Sequence, residues 1–338
     1  MIILAIETSC DETAVAITRN GREVLASELI SQTDIHALYG GIVPELASRN
    51  HAAYIGRLCE LALKNSGLQK ADIDAVAVTF APGLIGALLV GVNFAKGVAL
   101  ALGVPLIPVH HIRGHIAANY IAYPKLEPPF LCVIVSGGNS LIVDVRGYTD
   151  MSIIGRSRDD AAGECFDKAA RVMGLGYPGG PEIDRLAKEG DETRFTLPRP
   201  VIEGYNYDMS FSGLKTAVVN IVHNAEQKGE ILDKPSLAAA LSSAMSDILV
   251  PRVMQAAQEY GRDKIAVAGG VAANSRIRAD LTKAAAAPGK TLLLPPLNLC
   301  GDNAAMIGCQ GYYEYLAGTV AGSGLNAYAT MDVDDVHF

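Results

Sequence analysis

The sequence is short of positive charge. Its 28 lysines and arginines face 36 aspartates and glutamates, a formal net charge of −8. A chain that binds nucleic acid through a broadly basic surface carries the opposite sign, so any RNA must dock on a local basic patch or with a partner's help. None of the six cysteines, Cys10, Cys59, Cys132, Cys165, Cys300 and Cys309, forms a C-x-x-C pair. That excludes a zinc ribbon and a thioredoxin-like motif, and scattered thiols in a chain this long suit a reducing, cytoplasmic compartment. The opening MIILAIETSCDE has no basic n-region and meets an acid at Glu7, so it does not read as a signal peptide. Residues 75–95 carry no charge and are long enough to span a membrane, but Pro82-Gly83 interrupts them. They read as a buried strand, a turn and a buried helix, with no membrane involved.

What is present is a compact globular composition, 50% hydrophobic and 19% charged. The 338 residues allow about two domains, each able to bury a core. Strands are expected at 2–6, 13–17 and 23–30, a helix at 44–66, a strand at 75–80, a helix at 85–101 and a strand at 105–109. Near residue 130 the opening pattern restarts: strand (130–135), turn (136–139), strand (141–145). Two strand–turn–strand units could be matching phosphate loops of duplicated lobes, or a chance recurrence of a common unit. Residues 159–190 read as helix with a Gly-Tyr-Pro-Gly-Gly-Pro interruption, followed by a loop-like stretch at 198–211. Helices follow at 212–226 and 236–260, strands at 264–268 and 292–294, and a helix opening at Asp302.

Four places carry candidate chemistry. In His110-His111-Ile112-Arg113-Gly114-His115, helical spacing puts His111 and His115 on one face, one turn apart, as two imidazoles on one metal require. Ile112 stands where a zinc protease helix needs its glutamate, which opposes that activity. Asp302 is the best third ligand, although a carboxylate just before a helix also serves as an N-cap. Two histidines and one carboxylate leave open positions, which suits iron(II), with zinc as the alternative. Asp11 and Glu12 form an acidic turn that can hold a metal-bound phosphate or take a proton; a solvated hairpin is the plainer reading. Ser136-Gly137-Gly138 and Gly269-Gly270 follow strands, where backbone N–H groups approach an anion or simply close a tight turn. Neither matches a P-loop or dinucleotide fingerprint. Asn274 can bond a nucleoside or cap the next helix. Asp160, Glu164, Asp167 and Lys168 recur at helical spacing, as ligand acceptors or as ion pairs within a helix.

In this order the segments IETSCDETAVAI (6–17), PGLIGALLVG (82–91), HHIRGHIAA (110–118), VSGGNS (135–140), DDAAGECFDK (159–168), YPGGPEID (177–184), SFSGLKTAV (210–218), AGGVAANSRIR (268–278) and CGDNAAMI (300–307) resemble one family. It is the TsaD family of bacterial tRNA adenosine threonylcarbamoyltransferases, with the archaeal and eukaryotic counterpart Kae1. The resemblance implies an α/β, actin-like and sugar-kinase-like fold with two lobes around a nucleotide cleft. One lobe would be 1–109 completed by about 300–330; the second would be 110–299 with helical insertions. It implies His111, His115 and Asp302 as ligands of one divalent metal per subunit. It implies Ile134, Val135, Ser136, Gly137 and Gly138 as the loop on the threonylcarbamoyl and phosphate groups, with Asp167, Gly180, Asp184 and Asn274 as further contacts to the adenylate ligand. Asp11 and Glu12 fall in its acidic, phosphate-proximal loop. Two departures stand out: Asn139-Ser140 where the family has His-Thr, and Cys165 where alanine is usual.

The implied reaction moves the threonylcarbamoyl group from threonylcarbamoyl-adenylate to the N6 amine of the adenosine just 3′ of the anticodon, in tRNAs reading codons that begin with adenine. The implied partners are that tRNA's anticodon loop, a TsaB-type paralogous subunit and a TsaE-type ATPase. The alternatives make different demands. A non-catalytic actin-like scaffold predicts loss of the metal set. A small-metabolite kinase uses ATP and has no need of His111 and His115.

Overall fold

The computed structural model describes residues 1–286 and 289–338. The first elements are β1 (Ile2–Glu7), β2 (Glu12–Arg19), β3 (Glu23–Ser31), α1 (Thr33–Ala37), α2 (Pro44–Ser66), β4 (Ala75–Ala81), α3 (Ile85–Leu102), β5 (Leu106–His110) and α4 (His111–Ala122). Next come β6 (Phe130–Val135), β7 (Ser140–Val145), β8 (Met151–Arg156), α5 (Ala162–Val172), α6 (Gly179–Ala187), α7 (Ser212–Lys228) and α8 (Lys234–Glu259). The last are β9 (Lys264–Ala268), α9 (Ser275–Ala284), β10 (Thr291–Leu293) and α10 (Ala304–Leu316).

Contacts divide the chain into two units. One comprises Met1–Pro128, Val145–Ser152 and Pro295–Phe338; the other comprises Pro129–Asp144 and Ile153–Leu294. Residues 110–128 sit with the first unit because α4 packs on α10.

The sheet of the first unit has the order β3-β2-β1-β4-β5. β2 is antiparallel to β1 and β3, while β4 is parallel to β1 and β5. β1, β2 and β4 are buried along nearly their whole length, so alternation of side chains buries both faces there, while the edge strand β3 is largely exposed. Leu4, Ile6, Val15, Ile17, Val76 and Val78 join one core with residues of α2 and α3. Ile3, Ala5, Ala14, Ala16, Ala75 and Ala77 join another with α4 and α10. The second face is lined mainly by alanine, which lets α10 lie close to the sheet. That fixes Asp302, just ahead of α10, beyond the carboxyl ends of β1, β4 and β5, where open α/β sheets bind ligands.

In the second unit the sheet order, read from the opposite edge, is β8-β7-β6-β9-β10. β9 is parallel to β6 and to β10. Counting strands within each unit, both sheets therefore run third-second-first-fourth-fifth, with the first, fourth and fifth parallel. The restart of the pattern at residue 130 is a structural repeat: residues 8–11 and 136–139 are the equivalent first turns. The uncharged stretch 75–95 is wholly buried β4 followed by α3. Among the described residues two helices, α3 and α8, are long and apolar enough to cross a membrane. α8 is mostly buried in the core of its unit, whereas α3 buries Leu88, Val92 and Ala95 and leaves Ile85, Leu89 and Leu100 exposed. All six cysteines are free, and all but Cys10 are buried.

Candidate functional site

β5 runs directly into α4, and this junction carries three histidines with two different jobs. His110 caps the helix: its Nδ1 accepts from Ile112 N at 3.2 Å, so the ring proton sits on Nε2, 3.1 Å from Met331 O. Burial pushes His110 down to about 3, which keeps it neutral. With both nitrogens used, it offers no lone pair to a ligand. His111 and His115 project from one face of α4, their ring centroids 4.6 Å apart. The Asp302 Oδ1 atom lies 3.4 Å from His111 Nε2 and 3.1 Å from His115 Nε2. One ligand atom from each of the three residues falls within 4.8 Å of the others. Asp302 does not cap α10. Asn303 does, its side chain accepting from Met306 N at 2.9 Å, which leaves the Asp302 carboxylate for the histidines.

The donor set fits a divalent metal ion. Both ring nitrogens of His115 are buried without a hydrogen bond, because the short approach of Nε2 to Asp302 lacks hydrogen-bond direction. His111 turns its other nitrogen, Nδ1, to Glu7 Oε2 at 3.0 Å and Ser9 Oγ at 3.1 Å. Glu7 is fully buried and also accepts from Thr79 Oγ1 at 2.6 Å and Ser9 N at 2.5 Å. A carboxylate behind an imidazole fixes its tautomer and aims Nε2 at the shared point, the arrangement typical of metal-bound histidine. Burial alone would raise Glu7 and Asp302, but the His111 charge and hydrogen bonds hold Glu7 below the ordinary carboxylate value and, with His115, hold Asp302 far below it. Burial would lower His111; Asp302 and Glu7 raise it well above the ordinary imidazole value. Glu7 lies in the IETSCDETAVAI segment without being among the candidate site residues, yet the sequence signal was present: a carboxylate closing an otherwise apolar strand.

The acidic turn belongs to the same unit. His51 of α2 holds it, with Nδ1 2.7 Å from Thr13 Oγ1 and Nε2 2.9 Å from Cys10 O. Asp11 is buried, and Ser31 Oγ donates to Glu12 at 3.2 Å. Burial, then the charges of Asp302 and Asp11, push the Glu12 carboxyl up to about 9. Acids outnumber histidines around Asp302, a balance that a cation would correct.

The second unit gathers the other candidates. Ile134 and Val135 are buried at the end of β6. Ser136 N donates to Asn139 O at 2.8 Å and Asn139 N to Ser136 Oγ at 3.1 Å, closing the turn. Asn139 thus closes it through its backbone, and Ser140 Oγ accepts from Ala162 N at 2.9 Å at the start of α5. A Cβ on Gly137 or Gly138 would meet nothing within 4 Å, so the turn faces open space. Gly269, at φ +89°, brings the turn after β9 against it: a Cβ there would lie 2.4 Å from Val135 O. Asp167 accepts from Gly179 N at 2.7 Å, and Gly180 beside it is sterically open. Asp184 accepts from Ser275 N at 2.8 Å and Ser275 Oγ at 2.7 Å, joining α6 to α9. Asn274 caps α9 through Oδ1, yet its Nδ2 is buried without a partner, a donor left for a ligand. Asp160 and Glu164 instead pair with Lys168, at 3.6 and 2.5 Å, the plainer of the two readings for those acids.

Comparison with known proteins agrees with this geometry. Residues 23–309 match the family model described as TsaD, tRNA N6-adenosine threonylcarbamoyltransferase. A protein of that description from Clostridium botulinum (strain Kyoto / Type A2) is 48% identical over 333 residues, covering 98% of each chain. Another from Clostridium perfringens (strain SM101 / Type A) is 50% identical over 326 residues, covering 96% of each. Among solved structures, component A of the (R)-2-hydroxyglutaryl-CoA dehydratase of Acidaminococcus fermentans superposes with a TM-score of 0.54 at 17% identity. It covers 93% of this chain and 97% of that one, a likeness of fold. The fold is that of the actin-like ATPases, and the chain belongs to the TsaD family of tRNA N6-adenosine threonylcarbamoyltransferases.

Proposed function

We propose that this chain transfers the threonylcarbamoyl group from threonylcarbamoyl-adenylate to the N6 amine of the adenosine just 3′ of the anticodon, in tRNAs reading codons that begin with adenine. The observation that carries the proposal, beyond family membership, is the buried His111, His115 and Asp302 group with Glu7 behind it. The scaffold alternative predicts loss of that group, and every member is retained. His111, His115 and Asp302 would hold a divalent ion, iron(II) or zinc, which would supply Lewis-acid polarisation of the adenylate ligand. The N6 nitrogen attacks the carbamoyl carbon, the carbon–oxygen bond to the phosphate breaks, and adenylate leaves. The amine is a weak nucleophile, so positioning dominates the rate. The Ser136–Gly138 amides stabilise charge developing on the carbonyl or phosphate oxygens. Asp167, Gly180, Asp184 and the unpaired Asn274 Nδ2 hold the adenylate ligand. Asp11 or Glu12 of the acidic turn takes the proton released from N6 as the amine attacks.

The reaction belongs in the cytoplasm. The partners are tRNA, through its anticodon loop, a TsaB-type subunit and a TsaE-type ATPase. The exposed apolar residues of α3, Ile85, Leu89 and Leu100, are the face we assign to the TsaB-type subunit. Purified chain supplied with threonylcarbamoyl-adenylate, tRNA and these partners should form threonylcarbamoyladenosine, and His111→Ala should not. A fully active His111→Ala protein contradicts the metal role.

A further inference from the structure

The second unit carries a cavity of about 350 Å3 lined in part by Arg156, Arg158, Tyr205, Asn206, Tyr207 and Asp208. It forms where the segment before α7 lies along the edge strand β8. Met209 N donates to Arg156 O and Arg158 N to Met209 O, both at 2.9 Å. Gly155 permits the approach, since a Cβ there would lie 2.5 Å from Tyr207 O. Covering an exposed strand edge requires no more than this.

Three features go beyond edge protection. Asp208, 5% exposed, accepts from Arg156 N at 2.9 Å and from Arg158 Nε. The Arg158 guanidinium is thereby held through one nitrogen, 4.4 Å over the Tyr205 ring, while nearly half of its side chain stays exposed. Tyr205 itself is 55% exposed. Arg252 adds a cation beneath the loop: its guanidinium donates to the carbonyl oxygens of Asp208, Ile248 and Pro200. A pre-oriented guanidinium fork on an exposed aromatic ring suits a phosphate next to an unstacked base. In a chain of net charge −8 such a local site is what RNA docking requires. Hydrogen bonds also link the strand that lines the pocket to the ligand loop. From Arg158 the chain runs through Ser157 N to Ser140 O (2.9 Å), Ala162 N to Ser140 Oγ (2.9 Å) and Gly163 N to Ser136 O (3.1 Å).

We propose that this pocket docks a single-stranded segment of the tRNA, with a phosphate on Arg158 and a base on Tyr205. The inference rests on the transferase reading above. The test is fluorescence anisotropy of labelled tRNA with the full chain over a potassium chloride series. Tyr205→Ala should weaken binding about tenfold with little change in salt slope, and Tyr205→Phe should restore it. Arg158→Ala should weaken binding and lower the slope by about one. Arg19→Ala, at an exposed pair in the first unit, should bind as wild type. Circular dichroism checks that each variant is folded at the assay temperature. Wild-type binding and slope in both Arg158→Ala and Tyr205→Ala overturn the proposal, and so does equal loss in Tyr205→Ala and Tyr205→Phe. Host tRNA is assayed in parallel. If wild type restores threonylcarbamoyladenosine while the pocket variants bind normally, the pocket fails and the transferase reading stands. If wild type does not restore it, the transferase reading itself fails.

Discussion

Replacing Glu7 by glutamine tests whether a buried carboxylate behind His111, not itself one of the three ligand candidates, governs the metal group. The carboxylate is fully buried and accepts from three donors: Ser9 N at 2.5 Å, Thr79 Oγ1 at 2.6 Å and His111 Nδ1 at 3.0 Å. Glutamine keeps the shape but brings one NH2 into a site built only of donors, and it removes the charge that holds the proton on His111 Nδ1. His111 then loses the constraint that presents Nε2 toward Asp302. Loss of such a supporting partner costs about 10- to 100-fold in metal affinity, or about 1.4–2.8 kcal/mol. Titration of metal-free Glu7→Gln protein with iron(II) under anaerobic conditions, and with zinc, reads the affinity by equilibrium dialysis. Circular dichroism establishes that the fold is retained. Wild-type affinity in a folded Glu7→Gln protein refutes the account of how His111 is oriented.

Three further outcomes follow from the same geometry. Asn274→Asp keeps the cap of α9 but loses the unpaired Nδ2 donor, so the melting temperature should hold while adenylate binding by calorimetry falls; Asn274→Ala should lose both, with the cap costing about 0.5–2 kcal/mol. Gly269→Ala should destabilise by about 1–3 kcal/mol from backbone strain alone, whereas Gly138→Ala, facing open space, should melt as wild type; equal melting of the two contradicts the packing described. In metal-free protein the raised Glu12 carboxyl stays protonated in the folded state after the unfolded chain has ionised, so its contribution to stability falls as pH rises from about 4.5 to about 9. Thermal melts should show that decline lessened in Glu12→Gln, and parallel pH profiles for the two proteins contradict the shift.

Much of this molecule was legible in its residues. The bounds of α2 were set by Pro44 at its start and by the apolar spacing through Ala62, and β6 and β9 by short apolar runs between turns. The restart at residue 130 announced a repeat, but strand order depends on pairing between distant segments and could not be read locally. β8 was missed because its alternation is weak and one position is glycine. His110–Ala122 looks like the start of a new segment, yet it belongs with α10, a helix that lies far along the chain. Whether Asp302 or Asn303 caps α10 is decided by backbone geometry at adjacent polar residues, which composition does not carry. Glu7 went unnoticed because its meaning lies in His111, distant in sequence.

The central claim is tested most directly by mass spectrometry of total tRNA nucleosides from a host depleted of this protein. Threonylcarbamoyladenosine should disappear on depletion, return with wild type and stay absent with His111→Ala. Unchanged modification after depletion, with no redundant enzyme present, contradicts the transferase reading. Full restoration by His111→Ala contradicts the role given to the metal group.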